Sequence, residues 1–519
     1  MIRYLPLILF LFTWLLATPS LKAQVISTPI DTVSKKVDTN KVQILGSERL
    51  TLLKVDDTTT LQILAGNVKL KQGNAYFFCD SCVLNNTGNI FEAWNNVRLK
   101  DSDSVNVYAR HLLYRIDKKL ANLDGGVRLT DGKATLTTPD LEYDMNTDIG
   151  IYKKGGRVVN KKTILTSEEG YYYASLKDIY FKNNVILKDP AYQIKTDSLL
   201  YNTGTQTNRF IAKTFIKDSS GRTIETKEGF YNTVNGKAEF GKRPVIKDGA
   251  TTVIGDRVAF NDSLGTSQAA GNVIVTDTAQ GTTLLAGEMF RDNKKERMLA
   301  TGKPLMIIKQ ENDSIYLAAD TIYSARHADK DSALRYIEAF HHVRIFSDSL
   351  QGVSDSLYYS YKDSTFRLLT DPVLWSNGNQ ITGDTIWLHT KNKKADRLKV
   401  FENSMMVSQV EPGVYNQIAS VRMDGYFTAG SLDSVRALGY AACIYFLQDE
   451  DSAYTGINES KSDIIDIYIL EKALDKVVFR SAVTGTIWPI QQKNPSEMRL
   501  PNFKWLEQRR PKTKLELFE

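Results

Sequence analysis

A motif of about thirty residues repeats through most of this chain, and a fixed period in that range marks stacked supersecondary units rather than one closed core. Each copy opens on a short apolar strand, anchored at Val68, Val97, Val127, Val158, Val185, Phe215, Val245, Val273, Leu305, Val343 and Val373. From Val97 onward, an aromatic follows each anchor by fourteen to eighteen residues: Tyr114, Tyr143, Tyr173, Tyr201, Tyr231, Phe260, Phe290, Tyr323, Tyr359 and Trp387. The phase between the two series survives the long interval from Leu305 to Val343. Insertions therefore fall in turns and leave the unit intact.

The stretch from Asn183 to Phe215 shows one unit clearly. Val185-Ile186-Leu187-Lys188 reads as a strand and Asp189-Pro190 breaks it. Tyr192 to Tyr201 is a second strand, Asn202 to Thr205 a turn, and Thr207 to Ala212 a third strand. That third element recurs as Lys119–Leu123, Arg297–Ala300, Phe366–Leu369 and Arg397–Val400, each with Gly, Asn or Pro near the next anchor. The pattern predicts three short strands per unit in an all-β, elongated solenoid of stacked jellyroll-like units over residues 44–404. Residues 405–490 continue the texture with a weaker period, as capping units do. Residues 491–519 read as a loosely docked tail, with Phe503 and Trp505 as its anchors. The best helical window, Ile465 to Asp475, fits a pair of strands equally well.

In Val68-Lys69-Leu70, Val97-Arg98-Leu99, Val127-Arg128-Leu129, Val273-Ile274-Val275 and Val343-Arg344-Ile345, apolar residues flank a middle residue that is usually basic. The first and third residues of a strand share a face. Each unit thus places two apolar side chains on one side and, in most units, a charge on the other. Stacked, the pairs form a continuous apolar seam. Its members Val68, Leu70, Val97, Leu99, Val127, Leu129, Val185, Leu187, Val273, Val275, Val343 and Ile345 are the candidates for a lipid-binding groove. The same periodicity also suits a closed core between two faces of a solenoid.

Composition narrows the class. Charged residues make up 24% and aromatics 10%, a folding composition. The net charge is +6, too small for a nucleic-acid footprint, and no long Lys/Arg run is present. Residues 1–23 have the order of a secretory signal: Arg3, an apolar run from Leu5 to Ala17, then Leu21-Lys22-Ala23 before Gln24. Residues 24–43 form a polar leader. The apolar run falls short of the ~20 residues a spanning helix needs. Three cysteines, Cys79, Cys82 and Cys443, cannot staple the fold. Cys79 and Cys82 have redox-motif spacing, but in a straight strand residues three apart face opposite ways.

Little chemistry is on display. The histidines His111, His327, His341, His342 and His389 share no repeat position, and no nucleophile-elbow, zincin or phosphate-loop motif occurs. Aspartates stand three or four residues before the repeat aromatic at Asp197, Asp256, Asp320, Asp355 and Asp384. Without the nonapeptide of calcium-binding solenoids, they read as turn-shaping residues. No catalytic residue, metal or cofactor is expected.

The chain resembles the OstA-like family of envelope proteins, which includes the LptA-type periplasmic bridge of lipopolysaccharide transport. The resemblance rests on the signal followed directly by strand repeats, and on the recurrent Gly66-Asn67-Val68-Lys69-Leu70 and Asn95-Asn96-Val97-Arg98-Leu99 elements. It rests also on Cys79-Asp80-Ser81 followed by Gly88-Asn89-Ile90-Phe91-Glu92-Ala93. It implies a V-shaped jellyroll whose interior holds lipopolysaccharide acyl chains. It also implies a location in the periplasm or at the outer membrane. The implied partners are the inner-membrane extraction complex and the outer-membrane translocon, joined through edge strands, with end-to-end association of copies. The chain is longer than a single bridge module and has no closing series of ~10-residue amphipathic barrel strands, so it does not read as the translocon. The alternatives are a secreted parallel β-helix acting on polysaccharide, such as a lyase, and an adhesive or structural β-solenoid.

Overall fold

A computed structural model describes residues 41–101, 105–310, 314–327, 334–428, 430–449, 453–470 and 473–517. The expected signal at 1–23 and residues 24–40 of the leader lie outside the described residues. Strand accounts for 71% and helix for 3%, so the all-β expectation holds. Among the described residues forty strands form one continuous sheet, and each strand hydrogen-bonds antiparallel to its neighbours. A parallel β-helix is thereby excluded as the fold.

The unit contains two long bent strands, not three short ones. Ile90–Asp101 runs out and Val105–Arg115 returns; Leu120–Thr130 and Ala134–Asp144 repeat the pair. Each of these long strands turns a corner near its middle, and in other units the strand is interrupted there, as between Ile149–Tyr152 and Gly156–Asn160. At that corner the outgoing strand carries two consecutive residues with positive φ: Gly66 (79°) and Asn67 (47°), Asn95 (61°) and Asn96 (47°), Gly125 (80°) and Gly126 (92°), Asn183 (62°) and Asn184 (50°), Gly271 (74°) and Asn272 (46°). Gly and Asn are the residues that tolerate this region. The ladder slips at each site, as between Trp94 and Val97 or Asp124 and Val127, which is a β-bulge that bends the strand. The expected third strand is therefore the first half of the next outgoing strand, and the Gly/Asn break before the valine is a corner. Ile465 to Asp475 is likewise strand, split between Tyr454–Leu470 and Ala473–Arg480.

Acidic side chains on the adjoining returning strand pin the corners. Asn96 donates to Asp80 at 2.8 Å, Asn272 to Asp256 at 2.9 Å and Asn403 to Asp384 at 3.1 Å. His341 and His342 meet different aspartates, Asp355 at 3.1 Å and Asp320 at 2.8 Å. Asp256, Asp320, Asp355 and Asp384 of the recurrent series thus bind corner side chains. The corner also restores phase between Cys79 and Cys82. Both face the interior and are buried, contrary to the straight-strand argument.

Burial alternates on both sides of every corner, and the two halves of each strand bury the same side. One apolar core follows the stack from Leu64 to Ile467. The tail is firmly seated on the outer face of the half-sheet beyond the corners. Phe503 and Trp505 each stack 5.1 Å from Tyr415. Buried Gln417 and Gln380 each pair with tail backbone through both amide atoms: Gln417 with Met498 and Leu500, Gln380 with Lys504 and Leu506. Further along, Arg510 donates to Gln351 and Leu517 packs against Leu305 and Phe346.

Candidate functional site

Cross-strand register lines the interior with columns of side chains. One runs Leu70, Phe77, Leu99, Val107, Leu129, Leu136, Val158, Leu165 and Leu187, and continues through Ile246, Val253, Val275, Leu284, Met306 and Ile345. A second column, on the facing half-sheet, runs Tyr114, Ala121, Tyr143, Gly150, Tyr172, Ile179, Tyr201, Asn208 and Tyr231.

These tyrosines cross the mouth of the V. Tyr114 donates to Gln72 at 2.5 Å, Tyr143 to Asp101 at 3.1 Å and Tyr172 to Asp131 at 3.3 Å, while Asn160 donates to Tyr201 at 3.0 Å. Gln72, Asp101, Asp131 and Asn160 stand at the hairpin ends on the opposite lip. The four contacts clasp the groove shut. Burial and the nearby carboxylate Asp101 push the Tyr114 and Tyr143 phenols up; burial pushes Tyr201 up to about 12. Below the clasp the groove is filled by its own rings, with Phe77, Phe91 and Tyr114 within 4.7–5.1 Å of each other.

The row of phenol hydrogen bonds then gives way to other contacts: Asn208 donates to Tyr192 at 3.3 Å, Tyr231 meets Tyr192 edge-on at 5.2 Å and Asp262 at 3.4 Å, and Arg222 reaches across to Asp262 at 3.2 Å. Asn208, fully buried between Tyr201 and Tyr231, leaves its side-chain oxygen without a partner. Beyond it the column reads Phe260, Ser267, Arg291, Met298 and Ser324 before Tyr359. Along this interval lies a cavity of about 320 Å³ lined by Ile246, Val253, Val275, Leu284, Met298 and Met306. That volume lies at the lower end of the ~300–1,000 Å³ common for ligand pockets. Arg222, Arg291 and Arg335 stand at its mouth with Asp248, Asp262 and Asp277. Arg222 is held by Asp218 at 2.8 Å and lies 4.5 Å over the Phe260 ring. It also borders a neighbouring cavity of about 230 Å³ lined by Tyr192, Ile216 and Tyr231. Burial lowers the Arg335 pKa, and Arg291 adds to the effect. A further opening of about 300 Å³ lies among the C-terminal rungs, at Met406, Ile418 and Cys443.

Residues 39–197 match the family of OstA-like proteins, and residues 252–394 match the family described as LptA/(LptD N-terminal domain) LPS transport protein. The two matched stretches are similar to OstA-like and LptA/LptD N-terminal proteins. The crystal structure of LptH from Pseudomonas aeruginosa, described as the LptA-homologous periplasmic component of the conserved lipopolysaccharide transport device, aligns at 16% identity. It covers 28% of this chain and 80% of that one, with a TM-score of 0.15. A search of curated proteins finds no match.

Val68, Leu70, Val97, Leu99, Val127, Leu129, Val185 and Leu187 are buried in the clasped segment. Val273, Val343 and Ile345 are buried too, while Val275 is half-buried and lines the 320 Å³ cavity. The structure therefore places all twelve on the interior, and only Val275 at that opening. Of the aromatic series, Tyr114, Tyr143, Tyr201, Tyr231, Phe260 and Tyr359 lie in the inward column. Tyr173, Phe290, Tyr323 and Trp387 are one residue out of phase, beside Tyr172, Arg291, Ser324 and Leu388. Sequence reasoning missed the lip residues Gln72, Asp101, Asp131 and Asn160, although they recur at the repeat period after the valine anchors. The Cys79–Cys82 pair remains free thiols, with Cys82 pushed well up by the Cys79 hydrogen bond and burial. Among the described residues, no group of three or more His, Cys, Asp or Glu could hold a metal ion.

Proposed function

We propose that the chain is a non-enzymatic periplasmic component of lipopolysaccharide transport, working at the outer membrane, that holds acyl chains in its interior. The observation that carries this is the coincidence of two features. The inward tyrosine column gives way at Phe260, Arg291 and Ser324, and a cavity lined by both apolar and charged side chains opens at that place. Met289, Met298 and Met306 give its wall soft, adaptable side chains, suited to a ligand of variable shape. Lipid would occupy this window first, and the seam positions Val68 to Leu187 would receive chains only where the clasps open.

The ends of the stack suit relay to other proteins. Strand Arg49–Lys54 exposes Leu50, Leu52 and Leu53, and the last strands leave Val483 and Ile487 exposed. Such edges join by strand addition, here to the extraction complex, to the translocon or to a second copy. Depletion in the native host should reduce lipopolysaccharide at the outer surface and raise sensitivity to hydrophobic compounds. An undisturbed outer leaflet after depletion would refute the proposal.

A further inference from the structure

The outer face beyond the corners carries two rows of side chains across the first rungs. One runs Lys69, Phe78, Arg98, Tyr108, Arg128, Thr137 and Arg157; the other runs Lys71, Tyr76, Lys100, Asn106, Thr130 and Thr135. Strands lie ~4.8 Å apart, so cations on alternate strands recur every ~10 Å. The rings hold the cations in place: Arg128 lies 4.4 Å over Tyr108, Arg98 lies 5.7 Å from both Phe78 and Tyr108, and Lys71 lies 5.0 Å over Tyr76. Among the described residues no carboxylate pairs with Lys69, Lys71, Arg98, Arg128 or Arg157. Elsewhere arginines commonly have one, as Arg243 with Asp256, Arg326 with Glu296 and Arg436 with Asp466.

From this arrangement we infer that the face is a docking surface for an anionic lipid bilayer. Three features favour a fluid charged surface over a folded acidic partner. The cations repeat evenly without a groove or knob for shape to recognise. Phe78, Tyr76 and Tyr108 are half-buried against cationic groups, so these rings do not project to insert and the rows attract by charge. The opposite outer face is weighted to acid, with Glu92, Asp124, Glu142 and Asp144 against Arg115, so only one side of the V is drawn to the surface. The inference is independent of what the groove carries.

Vesicle sedimentation of the full chain tests it, using phosphatidylcholine vesicles with and without an equal part of phosphatidylglycerol. The protein should bind only the anionic vesicles and be released by high salt. The Arg98→Gln/Arg128→Gln/Arg157→Gln variant should bind them about a hundredfold more weakly, the factor expected for three surface cations. Lys69→Gln/Lys71→Gln, made at the end of the rows, provides a second variant with a smaller loss. Phe290→Ala, outside both rows and outside the inward column, should leave vesicle binding unchanged. Equal binding to both vesicles, or undiminished binding by both cation variants with native circular dichroism, would overturn the inference. Tighter binding of poly-L-glutamate than of anionic vesicles would also overturn it, by making the face a protein-docking surface.

Discussion

Two stretches of one repeating architecture treat the same interior differently. From Gln72 to Thr203 the facing half-sheets are latched by Tyr114, Tyr143, Tyr172 and Tyr201, and the groove is filled by buried apolar side chains. From Ile246 to Ile337 the period and the corners persist, yet the latch positions hold Phe260, Arg291 and Ser324 and the groove stands open. The apolar seam itself scarcely changes. What decides between closed core and open groove is the residue at one position per unit on the opposite half-sheet.

The largest expected difference comes from a charge placed in each stretch. Leu99→Asp buries an unpaired carboxylate where nothing can solvate it and should cost ~3–5 kcal/mol, by analogy with a broken buried ion pair. Val275→Asp, half-buried at the mouth, should leave the unfolding midpoint within ~1 kcal/mol of native, as partly exposed substitutions commonly do, while lowering lipid binding. Chemical denaturation and a lipid-displacement assay read both. Equal destabilisation at the two positions would erase the distinction.

Restoring the latch should convert one stretch into the other. Arg291→Tyr with Ser324→Tyr returns phenols to the inward column and fills the window. Lipid affinity should fall at least tenfold, ~1.4 kcal/mol, with no loss of stability. Unchanged affinity would show that the column does not control access.

Much of this was legible in the sequence. Alternation around Val97 and Leu99 predicted their shared inward face, and the basic middle residues Lys69, Arg98 and Arg128 fell on the outside as expected. The corners were not legible, because Gly66-Asn67 and Asn95-Asn96 look like strand breaks when a bulge bends the strand without ending its ladder. The latch was misphased at Tyr173, Phe290, Tyr323 and Trp387, because the column positions there are flanked by the aromatics that attract notice. The tail's seat was hidden for another reason. Gln380 and Gln417 are polar residues in outward slots, and only a segment distant in sequence explains their burial.

Removing a single latch should have a smaller effect. Tyr143→Phe forfeits the hydrogen bond to Asp101 and should cost ~1.5–3 kcal/mol, the range for a bond to a charged group. Phe290→Ala, whose ring lies outside the column and is 39% exposed, should cost less than ~1 kcal/mol. Urea denaturation distinguishes them, and a reversed order would contradict the assigned phase.

A further expected effect is a pH dependence. Tyr201 and Tyr231 have folded pKa values raised to about 12, above the ordinary phenol value of 10. Their contribution is complete below pH 10 and is lost as pH rises from 10 through 12, because the unfolded chain releases these protons first. The thermal midpoint should fall across that window, and Tyr201→Phe should flatten the slope. A midpoint independent of pH above 10 would mean that the phenols are not buried.

The most direct test of the central claim is photolabelling of the native protein by lipopolysaccharide carrying a diazirine in its acyl chains, with the labelled residues mapped by mass spectrometry. The account predicts label concentrated on the peptides containing Val253, Val275, Met298 and Met306, with little between Leu99 and Leu187 until Tyr143 and Tyr172 are replaced. Label spread evenly along the seam, or concentrated in the latched stretch of the native protein, would contradict it.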